Sequence, residues 1–385
     1  MINRHELLNL LKDTIAFDTQ NPPGNDLVLA EFIANYLSDA PCHVEVQDLG
    51  NGIGNVIAVI KGESSDNALM LNGHLDTVPY GSLDCWSSPP GVLTERGGRA
   101  FARGVADMKS GLCASLYAFK LIALSGKKPR RDIIFIGTGD EEAGGVGARA
   151  IVNTEWLDNV GSIIIGEPTG NHLGICTKGA IWLKIEITGK TSHAAYPEQG
   201  INAITEALAF TEIIKDLMKS SCEHELLGHA TCTLTQIQAG IKVNIVPDKC
   251  TAWLDIRTLP GFCHDDLLRQ ISKASKERES SMPGLGIEIE TVNNRMPVSS
   301  DFDCDIACLL AKIYREVTGT GMESVGAAYF TDASIFLDGR KIDAVFFGPG
   351  ESNEAHKPNE SIDIAKYELS AKVYLKLLEN TITKQ

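Results

Sequence analysis

Short stretches of consecutive apolar residues punctuate the first half of the chain, at 55–60 (NVIAVI), 68–71 (ALML), 133–137 (IIFIG) and 162–166 (SIIIG), and recur at 344–348 (AVFFG). Strands covered on both faces read this way, so the pattern predicts an α/β fold: a mixed, mostly parallel sheet sandwiched by helices. Helical periodicity predicts a helix over 110–125 (SGLCASLYAFKLIALS), followed by Gly126 and Pro129, and a closing helix over 364–378. At 181–187 (IWLKIEI) and 250–257 (CTAWLDIR) apolar and polar residues alternate instead, as in an antiparallel sheet with one wet face. Helices over about 200–220 and 264–279 flank these strands, and the order strand–helix–strand–strand–helix–strand fits a ferredoxin-like α+β module. One α/β domain is therefore expected from residues 1–179 and 293–385, interrupted by an inserted domain over 180–292, with 280–284 and 293–300 as return linkers.

Composition narrows the function classes. With 385 residues, 43% hydrophobic and 22% charged, the chain can bury a sizeable core and is neither disordered nor collagen-like. Lys and Arg total 35 against 50 Asp and Glu, a net charge of −15, which argues against nucleic acid or an anionic membrane as the main partner. The opening MINRHELLNLLKDTIAF is an amphipathic helix interrupted by charges rather than a signal peptide, and no apolar run approaches the roughly 20 residues of a membrane span. Cysteines at 42, 85, 113, 176, 222, 232, 250, 263, 304 and 308 form no C-x-x-C pair. That excludes a zinc ribbon and a thioredoxin-like site and suits free thiols in a reducing cytosol, so a cytoplasmic protein is expected.

In an open α/β sheet, ligands bind outside the carboxyl ends of the strands. His74 and Asp76 follow ALML, Glu141 and Glu142 follow IIFIG, Glu167 follows SIII, His356 lies beyond AVFFG, and Asp107 precedes the long helix. Each alone has an ordinary reading: a structural histidine, a solvated acidic turn, a helix-start charge, a loop acid, a surface histidine. Their shared position at one sheet edge argues against coincidence. Crowded carboxylates cannot all stay ionised unless something neutralises them, and a pair of divalent cations would do so. Imidazole with carboxylate suits zinc. Two cations sharing a carboxylate can also acidify a bound water, whose proton a neighbouring carboxylate takes. The glycines of 137–147 do not make a dinucleotide fingerprint, because position 142 is Glu and the loop carries three acids.

The segments GHLDTVP (73–79), ARGVADMKSG (102–111), GTGDEEAGG (137–145), IIGEPT (164–169) and AHKPNE (355–360) resemble, in order and spacing, those of one family. It is the acetylornithine deacetylase, succinyl-diaminopimelate desuccinylase, aminoacylase and carboxypeptidase G family of di-zinc metallohydrolases. The resemblance implies a zinc-exopeptidase-like catalytic domain and a hydrolase of linear amides. Its substrate would be an N-acyl amino acid or, alternatively, a short peptide cleaved by a di-/tripeptidase or carboxypeptidase. It implies two Zn2+ ions, with Co2+ or Mn2+ as substitutes. His74 and Glu167 would bind one, Glu142 and His356 the other, and Asp107 both, while Asp76 orients His74 and Glu141 acts as general base. It further implies a homodimer through the inserted domain, with His193 of GKTSHA (189–194) helping to hold the oxyanion from the partner subunit. Asn244 and Arg257 fall where relatives grip a substrate carboxylate, a task suited to a bidentate guanidinium, although Arg257 could equally be a solvent-facing arginine on an alternating strand. Gly348 resembles the glycine-rich turn lining the family's pocket, and it could equally be a plain strand-end turn. The metal motifs alone do not separate a deacylase from a peptidase.

Overall fold

The structure, a computed structural model, describes residues 2–219 and 223–382. Ser220, at the end of the helix expected over 200–220, and Cys222 lie outside the described residues. The chain divides into two units: Met1–Ile175 with Ser299–Ala327 and Thr331–Gln385, and Cys176–Val298 with Ala328–Phe330. The second is a few residues wider than 180–292, and the strands near its ends, Gly179–Thr188 and Gly286–Arg295, cross those expected bounds.

In the first unit the sheet runs, in spatial order, His43–Gly50, Ile53–Ile60, Arg131–Thr138, Ser64–His74, Val160–Ile165, Asp343–Phe346 and Leu173–Thr177. The four strands from Arg131–Thr138 to Asp343–Phe346 are parallel, in a register that sets Met70 beside both Ile134 and Ile163, and Ile163 beside Ala344. The flanking strands pair antiparallel. Consecutive residues of a strand face opposite sides, and Val56, Ile57, Ala58 and Val59 are all buried, so both faces are covered. The helices Arg4–Ile15, Ser110–Leu124, Asp305–Thr318 and Ile364–Asn380 contribute to this core through Leu7, Leu116, Leu310 and Tyr374. Ser64–His74 is longer than its apolar signal because its first four residues are exposed.

The second unit follows the expected βαββαβ order, with helices Ala203–Met218 and His264–Ser281 and an antiparallel sheet ordered Thr231–Ala239, Lys249–Thr258, Gly179–Thr188, Gly286–Arg295. Ile181, Leu183, Ile185 and Ile187 alternate with more exposed residues and pack with Phe210, Ile214 and Leu267 of the helices. The return linkers are a correction. Ser280 and Ser281 belong to the last helical turn, where their hydroxyls donate to the carbonyls of Lys276 and Arg278. Asn293, Asn294 and Arg295 complete a strand, paired with Trp182, Ile181 and Ala180.

Candidate metal centre and active site

Parallel register brings the predicted residues to one sheet edge. His74 ends its strand level with Thr138, two residues after Ile136, while Asn72 lies beside Ile165. The turns carrying Glu141, Glu142 and Glu167 thus leave from the same rim. Close packing seats Glu167: a Cβ on Gly111 would lie 1.8 Å from the Gly166 carbonyl oxygen. Gly348 presses on the same segment, where a Cβ would come within 2.3 Å of the Gly166 oxygen and 2.5 Å of the Glu167 oxygen. Its missing side chain is therefore a packing requirement behind Glu167.

Asp107 does not begin the helix that follows it. The helix starts at Ser110, and Asp107 has non-helical φ −122° and ψ 96°, preceding a cis peptide bond to Met108. Its carboxylate presents one oxygen to each imidazole: Oδ1 lies 3.1 Å from His74 Nε2 and Oδ2 3.3 Å from His356 Nε2. His356 Nε2 is also 3.0 Å from Glu142 Oε1. Ligand atoms of His74, Asp107 and Glu142 all lie within 4.8 Å of one another. His356 occupies the left-handed region at φ +62°, an uncommon conformation outside glycine.

Asp76 organises the other side. His74 Nδ1 is 3.0 Å from the Asp76 carbonyl and 3.5 Å from its Oδ1. The fully buried Asp76 carboxylate accepts the backbone N–H of Glu141 on Oδ1 (3.1 Å) and that of Glu142 on Oδ2 (3.0 Å). It thereby orients the imidazole and pins the acidic turn. Asn21 donates to Asp76 Oδ2 and to Asp140 Oδ1. Asp140, at φ +67°, is fixed further by the N–H groups of Gly144 and Val146 on its Oδ2. The sequence reading passed over Asn21, whose only signal is a buriable amide in the turn-forming NPPG.

Glu141 is 6% exposed, and its Oε1 has no hydrogen-bond partner. Burial pushes its carboxyl well above the usual range, and Asp332, Glu167 and Glu142 add to this against the pull of His74. Burial also raises Glu167 and Glu142. Asp107 moves oppositely: burial opposes its charge, yet the two imidazoles hold it well below the ordinary carboxylate value. Hydrogen bonds to Asp107 and Glu142 push His356 up to about 11. His74 rises too, with Asp107 and Asp76 outweighing its burial. Excess carboxylate thus favours protons on the imidazoles, positive charge that a divalent cation held by the same residues would supply instead. The nitrogen-and-oxygen donor set fits zinc, cobalt or manganese.

In the second unit, Ser192–His193 pairs with Ile245–Val246, which seats His193 beside Asn244; the Ala194 N–H donates to the Asn244 carbonyl at 3.1 Å. His193 Nδ1 accepts the Ala195 N–H at 3.0 Å. Arg257 is not a solvent-facing arginine. Its guanidinium is only partly exposed, lies 5.6 Å from the Phe330 ring centroid and grips Asp255 bidentately at 2.7 and 2.9 Å. Arg295, which the sequence reading did not single out, lies 5.3 Å from the same ring, 1% exposed, with Nε, Nη1 and Nη2 all lacking a hydrogen-bond partner.

A profile of peptidase family M20/M25/M40 matches residues 70–380. A probable succinyl-diaminopimelate desuccinylase of Staphylococcus aureus (strain MSSA476) is 28% identical over 392 aligned residues, covering 94% of each chain. An acetylornithine deacetylase of Aliivibrio salmonicida is 29% identical over 369, covering 94% of this chain and 93% of that one. Among solved structures, an M20 family metallo-carboxypeptidase of Sulfolobus solfataricus shares the fold, with a TM-score of 0.80 at 20% identity over 98% of this chain and 99% of that one.

Proposed function

The chain belongs to peptidase family M20/M25/M40 and is a hydrolase, and on that premise we propose that it is a di-zinc amidohydrolase removing the acyl group from an N-acyl amino acid. The carrying observation is Asp107, which offers one oxygen to His74 and the other to His356. His74 and Glu167 would hold one zinc ion, Glu142 and His356 the other, with Asp107 shared. Bound there, the ions would polarise the amide carbonyl and acidify a water.

Glu141 supplies the proton chemistry. As general base, Glu141 would take the proton of the attacking water and return it to the departing amine, and its burial, which pushes the carboxyl well above the usual range, favours holding that proton between the two steps. Asp76 maintains the His74 orientation and the backbone that aims Glu141. His193, with Nδ1 occupied as an acceptor, carries its proton on Nε2 when neutral and can donate to a carbonyl oxygen gaining charge. Asn244, beside it, and Arg257 would bind the substrate carboxylate, with Arg257 releasing part of its grip on Asp255. Gly348 keeps the pocket wall behind Glu167 thin.

We place the dimer contact on the second unit. Ile241 and Val243, 85% and 97% exposed on the loop after Thr231–Ala239, supply apolar surface for a second copy, which would receive His193 at its metal centre. The nine described cysteines are all free, in keeping with a reducing cytoplasm, and no described helix is long and apolar enough to cross a membrane.

Relatives named desuccinylase and deacetylase favour an acyl amino acid over a peptide. The test is kcat/KM of the zinc- or cobalt-loaded protein on acetylated and succinylated amino acids against di- and tripeptides. A preference for acyl amino acids is expected. Turnover confined to peptides transfers the protein to the peptidase reading, and no turnover on either class rejects both.

A further inference from the structure

Beyond His356 the chain returns towards Asp107. Glu360, four residues on, is 1% exposed. Its Oε2 accepts from Arg103 Nη1 at 2.8 Å and from the Gly104 N–H at 3.0 Å. Its Oε1 accepts from the N–H groups of Ala106 at 2.7 Å and Asp107 at 3.1 Å. The Glu360 carbonyl accepts the Ala102 N–H, and Arg103, itself 5% exposed, also donates to the Lys357 carbonyl. One buried carboxylate therefore gathers four donors from a short segment, and that segment carries Asp107. The segment needs it: Asp107 and Met108 depart from helical geometry, so buried N–H groups there require an acceptor from elsewhere in the chain.

We infer that Glu360 is a positioning residue of the metal centre, fixing Asp107 against the segment that bears His356. The inference rests on the two-metal reading of Asp107. Asp107 divides its oxygens between imidazoles at 3.1 and 3.3 Å, so rotation of its backbone would improve one contact only by spoiling the other. Glu360 prevents that rotation by holding the Asp107 N–H and its neighbours from the His356 side. Both Glu360 oxygens must act as acceptors. A glutamine has the same size, but whichever way its amide turns, an NH2 faces two donors and two of the four bonds are lost. An aspartate keeps both acceptors on a stem one methylene shorter.

The experiment compares wild type, Glu360→Gln and Glu360→Asp as full-length protein: zinc titration of the metal-free form by calorimetry, melting of that same form, and kcat and KM. Zinc affinity should fall about 10–100-fold in Glu360→Gln, as when partners of metal ligands are removed. Glu360→Asp should recover part of it, and losses in rate should appear in kcat with KM nearly unchanged. Wild-type zinc affinity in Glu360→Gln, whatever its melting temperature, overturns the inference. If that variant does not fold, wild-type affinity in Glu360→Asp overturns it equally. The wild-type titration reads the two-metal claim and the ratio of variant to wild type reads Glu360, so the two failures are distinct.

Discussion

Asn21 donates a 2.9 Å hydrogen bond to Oδ2 of the buried Asp76. The same amide nitrogen reaches Asp140 Oδ1 at 2.8 Å, so one carboxamide joins the residue that orients His74 to the left-handed residue that precedes Glu141. Asn21→Leu leaves the buried Asp140 Oδ1 without its donor and Asp76 Oδ2 with only the Glu142 N–H, and should cost about 1–3 kcal/mol of stability. Asn21→Asp places a third carboxylate between two others and should be worse. Urea unfolding of both variants, read beside kcat, checks the order, and a neutral Asn21→Asp would contradict it.

Glu141 is buried with an unpaired oxygen among other acids, an arrangement that favours proton transfer over stability. Glu141→Ala should retain bound metal and lose about 10²–10⁴-fold in kcat, the range for a general base. Glu141→Gln should lose as much while melting no lower than wild type, because a neutral amide of the same size suits a buried position that already disfavours a charge. Metal content by elemental analysis, kcat and melting temperature decide it together. A near wild-type rate in either variant removes Glu141 from the role.

Asp26, 0% exposed, accepts the Asp140 N–H on Oδ2 and has no partner on Oδ1; burial, with Asp76 nearby, raises its pKa from 3.8 to about 8. The native state then keeps a proton that the unfolded chain releases, so this group's contribution is full below pH 3.8 and is lost as pH rises towards about 8. Asp26→Asn should flatten that part of the pH–stability curve and gain most over wild type at the alkaline end. Denaturant midpoints measured across the interval test the sign, and an advantage confined to acid pH would contradict it.

If His193 serves the partner's metal centre, inactive His193→Ala and Glu141→Ala subunits should complement each other. Mixed dimers carry one site of two with both groups intact and should regain up to about half the wild-type activity per dimer. Heterodimers shown to form without regaining activity would place His193 in its own subunit's site.

Much of this centre was legible because strands buried on both faces leave uninterrupted apolar runs, and the residue after such a run in a parallel sheet sits at the ligand-binding edge. His74, Glu141, Glu142 and Glu167 follow from that rule. His43–Gly50 escaped it, since an edge strand with mostly half-exposed side chains has no apolar run. The helix Asp26–Tyr36 is apolar nearly all round, so periodicity does not mark it, and its start signal, Asn25 followed by Asp26, was readable and missed. Asn21 and Glu360 act through loop conformations that no spacing encodes. Arg257 with Asp255 was readable and missed: residues two apart on a strand share a face, so their pairing needs only the period of the strand.

The central claim is a pair of metal ions sharing Asp107. Anomalous diffraction from crystals grown with saturating zinc tests it most directly. Two peaks per chain are predicted, one against His74 and Glu167 and one against Glu142 and His356, with Asp107 touching both. A single peak, or none, would contradict it.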